Sequence, residues 1–178
     1  MIGEFSTKAS PQNSNAKTVF FVLMALSAVF TLFYLLADRY KGLLGLAVMI
    51  FLVSAVYIYT RYVGVQYYYD LTHDNTGEAV FVVRRQVGKS SSTLARLGLS
   101  EISSVKRENR AEAKAHKTPY GYRKYFYTPT LMPSETVRLT VISPYESSEV
   151  IIEATEEYEK QLTRYIKEAR GELYPEAE

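Results

Sequence analysis

Side chains with catalytic or metal-binding chemistry are sparse in this sequence. There are 178 residues, two histidines and no cysteine. The missing cysteines exclude disulfides, thiolate metal sites and a thiol nucleophile. A metal reading would join His73 to Asp70, Asp74 and His116. Asp70 and Asp74 stand four apart in a strand-and-turn region, and none of the usual ligand spacings occurs. His73 therefore reads as a polar turn histidine and His116 as part of a basic loop. Gly88-Lys89-Ser90 has the ending of a phosphate-binding loop, but the glycine needed five residues earlier is Val83. No G-x-S-x-G nucleophile elbow is present. The chain reads as a non-enzyme, with no catalytic residue, metal or cofactor expected.

Charge carries more information. From Arg84 to Lys124 there are eleven Lys and Arg against three Glu, whereas from Tyr125 to the end five basic residues face eleven acidic ones. Lys106, Arg107, Arg110, Lys114, Lys117, Arg123 and Lys124 are the candidate contacts for anionic lipid headgroups or a partner. Each such cation near a membrane surface contributes about 1 kcal/mol of attraction. The plainer alternative is a solvated surface partly neutralised by Glu108 and Glu112. Nucleic acid is not expected, because the acidic half would repel a phosphate backbone and no recognition motif is visible.

Two kinds of element must position these residues. The first is apolar. Thr18–Ala37 and Gly42–Thr60 hold 20 and 19 residues without a charge. As helices each matches a bilayer core of roughly 30 Å. Asp38, Arg39, Tyr40 and Lys41 alone separate them, enough for a tight helical hairpin. Residues 18–61 are thus expected to be a transmembrane hairpin with both termini on one side. Lys8, Lys17 and Arg61 on the terminal side outnumber Arg39 and Lys41 in the turn, so that side is assigned to the cytoplasm. Tyr34, Tyr40, Tyr57, Tyr59 and Tyr62 lie at or near the run ends, where amphipathic rings favour the headgroup layer. Residues 1–17 are polar and read as a disordered tail.

The second kind is a run of short strands. Strands are expected over residues 65–71, 78–87, 92–98, 102–108, 123–128, 136–143 and 148–154. Turn chemistry separates them, for example Asp74-Asn75-Thr76-Gly77. Residues 109–122 read as a long loop with one or two helical turns. Tyr158, Leu162, Tyr165, Ile166 and Ala169 then form an apolar helical stripe, with Thr155 as N-cap and Gly171 as the stop. Residues 62–171 form one domain on this reading, and 172–178 a loose tail. Seven strands before a single helix exclude an alternating, doubly wound layout. A curved antiparallel sheet or small barrel covered by the helix is expected.

Tyr67–Arg85 (YYYDLTHDNTGEAVFVVRR), Leu97–Glu108 (LGLSEISSVKRE) and Val150–Ile166 (VIIEATEEYEKQLTRYI) resemble segments of small bacterial membrane proteins that join a two-helix hairpin to a pleckstrin-homology-like domain. The resemblance implies a seven-stranded antiparallel barrel or sandwich closed by a C-terminal helix. The phosphoinositide-binding loop of eukaryotic relatives has no matching residues here. The expected function is a membrane-anchored interaction module that binds a protein or peptide near the cell membrane surface. The alternatives are an accessory or assembly subunit using the hairpin as interface, and a sensor of anionic lipid.

Overall fold

The computed structural model describes residues 5–9, 15–144 and 146–172. Residues 1–4, 10–14 and 173–178, which fall in the two expected tails, lie outside the described residues. The chain divides into a helical hairpin and a mainly-β unit.

The hairpin consists of α1 (Asn15–Leu36), a single turn over Asp38–Tyr40, and α2 (Lys41–Ile58). A wider helical turn, Tyr59–Val63, extends α2, and Gly64 N–H closes it on the Tyr59 carbonyl at 2.8 Å. Both helices are long and apolar enough to cross a membrane. They run antiparallel, as three pairs of contacts show. Phe20 meets Tyr59 at 5.5 Å between ring centroids, Phe30 meets Phe51 at 5.3 Å, and the Tyr34 ring lies against Gly45. Ser27 and Ala55 are buried on the facing sides. Asn15 is the first helical residue, so α1 starts three residues ahead of the apolar run.

The β unit has eight strands in two four-stranded sheets and does not close into a barrel. The first sheet has the order β1 (Phe5–Lys8), β2 (Val65–His73), β3 (Ala79–Val87), β4 (Ser90–Gly98). The second contains β5 (Ile102–Asn109), β6 (Arg123–Tyr127), β7 (Glu135–Ile142) and β8 (Ser147–Ile152), in the order β5-β7-β8-β6. A short helix, α3 (Arg110–Ala115), follows β5, and α4 (Glu156–Ala169) ends the unit.

Two expectations are corrected here. Phe5–Lys8 lie in the stretch read as a disordered tail, yet they pair antiparallel with β2, Phe5 opposite Leu71 and Lys8 opposite Tyr68. The pairing is held by side chains distant in sequence: Ser6 donates to Asp70, and the Phe5 ring lies 5.8 Å from that of Tyr158. The second sheet is also not wholly antiparallel. The β7–β8 hairpin lies between β5 and β6, so β6 pairs parallel with β8, Arg123 opposite Ser148 and Tyr127 opposite Ile152.

Strand alternation builds the core. Tyr67, Tyr69, Leu71, Phe81 and Val83 from the first sheet are buried, as are Val137, Leu139, Val141, Val150 and Ile152 from the second. Tyr158, Leu162 and Ile166 of α4 complete it. Tyr69 links the two sheets: its hydroxyl donates to the Tyr127 carbonyl at 2.6 Å and accepts from the Glu153 N–H at 3.2 Å. Helix α4 is punctuated as its sequence predicts. Thr155 Oγ1 accepts from Tyr158 N–H, and Gly171, at φ +72°, donates to Glu168 O.

Candidate functional site

The seven candidate cations are distributed over both margins of the second sheet. Lys106 and Arg107 are successive residues of β5 and point to opposite faces. Arg123 and Lys124 lie on β6, at the other end of the strand order. Arg110 and Lys114 are one turn apart on α3, and Lys117 follows it. Several are engaged within the unit. Arg107 donates to Glu159 Oε2 at 2.6 Å, Glu135 Oε2 at 3.0 Å and the Ala154 carbonyl at 3.2 Å. Arg123 stands 3.6 Å from Glu146, and the Lys124 ammonium lies 5.2 Å from the Phe126 ring centroid. Lys106 approaches Glu108 at 3.5 Å. Lys114 and Lys117 are exposed. The structure therefore separates what the sequence presented as one basic cluster.

What it does bring together is a buried ionic cluster. On the face of the second sheet turned away from the core, Arg138 of β7 lies between Glu108 of β5 and Glu149 of β8. The three side chains are 4%, 1% and 2% exposed. Arg138 Nε and Nη2 donate to Glu108 Oε2 at 3.0 and 2.5 Å, and Nη1 donates to Glu149 Oε2 at 2.7 Å. The connection after α3 completes the set. Thr118 Oγ1 donates to Glu149 Oε2 at 2.9 Å, and His116 Nε2 lies 2.6 Å from Glu149 Oε1. An ionised carboxylate only accepts, so Nε2 carries the proton in that contact.

The local sequence explains how this connection reaches the sheet. Asn109 ends β5 and caps α3, its Oδ1 accepting from Ala111 and Glu112 N–H, while Glu112 returns a bond to Asn109 N–H at 3.0 Å. One and a half turns later His116 reverses toward β8. The expected one or two helical turns are present, and they carry two residues onto a buried carboxylate.

Burial pushes the Glu108 carboxyl up, but the hydrogen bonds and charge of Arg138 outweigh it and hold the group below the usual carboxylate range. Burial likewise opposes ionisation of Glu149. The bonds from Thr118 and His116, with the charge of Arg138, reverse the balance. Both carboxylates are thus ionised acceptors at neutral pH, and Arg138 is their shared counterion. Removing one partner of such a cluster leaves an uncompensated buried charge. The Thr118 hydroxyl and the His116 ring are both turned onto Glu149. The chemistry of the cluster is that of a clasp.

The first sheet has a looser counterpart. Asp70 accepts from Ser6 and from Arg84 Nε, and the Arg84 guanidinium lies 5.8 Å from the Tyr68 ring centroid. A groove of about 470 Å³ opens beside them, lined by Ser6, Asp70, Thr72, Arg84, Thr93 and Arg96 among others. His73 is exposed at the end of β2. Asp74 makes the turn: its Oδ1 accepts from Thr76 N–H, Thr76 Oγ1 and Glu78 N–H, which hold its carboxyl below the usual range. Among the described residues no group of three or more His, Cys, Asp or Glu is placed to hold a metal ion.

The expected interface tyrosines are on the hairpin. Tyr40, Tyr57 and Tyr59 are exposed, Tyr34 packs on Gly45, and the Arg61 guanidinium lies 5.4 Å from the Tyr62 ring centroid. Sequence reasoning missed Glu108, Arg138 and Glu149 as a unit. Arg138 alternates with Val137 and Leu139 and so reads as a solvent-facing strand residue. Only the register and the overlying connection bury it.

Comparison with protein-family models, with curated proteins and with solved structures finds no match to the chain.

Proposed function

We propose that the chain is a membrane-anchored, non-enzymatic interaction module. The hairpin crosses the cell membrane twice and holds the β unit at the cytoplasmic surface, where that unit binds a protein or peptide. One observation carries this reading. The chain leaves the first sheet after Lys8 and rejoins it at Val65, and β1 and β2 are paired neighbours. Residues 9–64 are therefore an insertion between two strands of one sheet. A hairpin so placed has both ends on one side of a bilayer. The outward faces of α1 and α2 support insertion: Phe21, Leu32, Leu35, Leu36, Leu43 and Met49 are all more than half exposed. Helices of a soluble core would bury such side chains. The excess of Lys8, Lys17 and Arg61 over Arg39 and Lys41 sets the orientation.

The β unit is read as a pleckstrin-homology-like domain. A three-stranded meander over β2–β4, a second sheet and a closing helix support that reading. The extra strand β1 and the parallel pair β6–β8 are this chain's own departures from it. The exposed Lys114 and Lys117 favour a secondary contribution from anionic lipid headgroups.

Photoreactive residues installed one at a time in the full chain test the proposal in native membranes. Adducts to one protein from Ser91 or Tyr120 in the β unit, and none from Leu32 or Leu46 in the hairpin, are expected. Adducts from the hairpin positions alone would instead make the chain an accessory subunit of a membrane complex.

A further inference from the structure

The outer edge of β4 is the place where the β unit is built to receive a partner. We propose that it accepts an extended acidic segment of another protein by strand addition. This inference rests on the module reading above and names the surface that module uses.

The four sheet margins differ. β1 supplies only four residues, and β6 only five. The β5 margin is occupied at its first residue, where the Ile102 carbonyl accepts from Arg170 of the C-terminal segment. β4 has nine residues, pairs among the described residues with β3 alone, and is exposed from Ser90 to Leu94 and again at Arg96. In an antiparallel strand alternate peptide groups point away from the partner. Among the described residues, no main-chain group of residues 90–97 has a main-chain partner outside the β3 ladder. Of the devices that blunt such edges, Ser90–Gly98 has no proline; it carries one bulge and one charge, Arg96, which leaves it closed to a like-charged strand and open to an acidic one.

Chemistry selects the partner. Residues 79–98 hold Arg84, Arg85, Lys89 and Arg96 and no acidic residue. Lys89 and Arg96 are exposed at and near this edge, Arg96 within electrostatic reach of Asp74. The register also places an apolar contact there. Val83 faces Ala95 and Arg84 faces Thr93, so Leu94 is the extra residue of a bulge, and it is 37% exposed. Arg96 and Thr93 also line the groove that crosses the outer face of the first sheet. An extended segment with alternate acidic side chains would hydrogen-bond the β4 main chain and set its carboxylates beside Arg96 and Lys89. An apolar residue among them meets Leu94.

The test uses the full chain in nanodiscs of neutral phosphatidylcholine, which removes competing anionic lipid. Three fluorescent peptides are compared by anisotropy: one alternating glutamate with valine, the same peptide N-methylated at alternate residues, and one alternating lysine with valine. The first is expected to bind at least about tenfold more tightly than the other two, since main-chain bonds and charge both contribute. Its binding should slow amide exchange within residues 90–97, and Arg96→Glu should weaken it several-fold with an unchanged circular dichroism spectrum. Equal binding of the N-methylated peptide, protection elsewhere, or indifference to Arg96→Glu would overturn the proposal. A partner crosslinked from the β unit that the glutamate peptide does not displace would overturn it too, while leaving the module reading in place. Adducts from the hairpin alone would overturn both.

Discussion

The two sheets carry the same pair of chemical groups on their outer faces and treat them differently. On the first, Asp70 meets Arg84, whose side chain stays 43% exposed. On the second, Glu108 and Glu149 meet Arg138, which is 4% exposed. Cover makes the difference. Residues 110–118 lie over the second sheet and contribute His116 and Thr118 to the cluster, whereas a groove opens beside the first pair. Asp70 is itself buried, its side chain 11% exposed, so the first pair is open to water on the Arg84 side alone, whereas every member of the second is closed off and becomes indispensable once its partners are in place. The second sheet thus holds its connection fixed, and the first leaves its outer face and the β4 edge accessible.

The largest expected effect tests that contrast directly. Arg138→Met should destabilise the β unit by about 3–5 kcal/mol, because two buried carboxylates lose their counterion. Arg84→Met should cost less, about 1.5–3 kcal/mol, because the buried Asp70 loses one charge-assisted bond and keeps Ser6. Urea denaturation of the full chain in non-ionic detergent, followed by near-ultraviolet tyrosine dichroism, measures both. Losses of equal size would erase the distinction between the sheets. Leu162→Ala calibrates the scale: its fully buried side chain should cost about 2–5 kcal/mol. An effect near zero would show that α4 is not docked. His116→Ala removes one bond to a buried charge and should cost about 1.5–3 kcal/mol. It should also speed amide exchange in residues 110–118 and leave β4 unchanged; uniform acceleration would refute a clasp specific to the connection.

Acid sharpens the comparison further. Glu108 and Glu149 are held below their ordinary value of 4.5 in the folded state. A lowered folded-state value means that the unfolded chain binds protons more readily. Their contribution is therefore complete above about pH 4.5 and is lost as pH falls through the folded-state values. Wild type should lose stability across that acid range, and Glu108→Gln with Glu149→Gln should flatten the profile. A slope unaffected by the double substitution would place the acid sensitivity elsewhere.

Much of this organisation is legible in the sequence because it is local. Uncharged runs mark the two long helices, Asp74 and Gly77 mark a turn, and the stripe Tyr158–Leu162–Ile166 marks the buried face of α4. Other features depend on partners far away. Phe5–Lys8 is too short to show a period, and its strand partner begins beyond the hairpin. The parallel placement of β6 follows from the β7–β8 hairpin occupying the centre of the sheet, which no local pattern encodes. His116 looks like any loop histidine until Glu149 is brought beside it. The ionic cluster needs three strands in register and a connection folded over them. Composition alone marks out the basic residues 106–124, while the charges that matter most to the fold lie partly outside that segment, at Arg138 and Glu149.

The proposed topology inserts a membrane hairpin between two paired strands and puts their sheet on the cytoplasmic side. Single cysteines at Lys8, Tyr40 and Ser91 test it most directly, since the chain has none of its own. In intact cells an impermeant thiol reagent should label Tyr40→Cys alone, and after permeabilisation Lys8→Cys and Ser91→Cys should react as well. Labelling that puts Lys8 and Ser91 on opposite sides, or Tyr40 on the same side as either, would contradict the account.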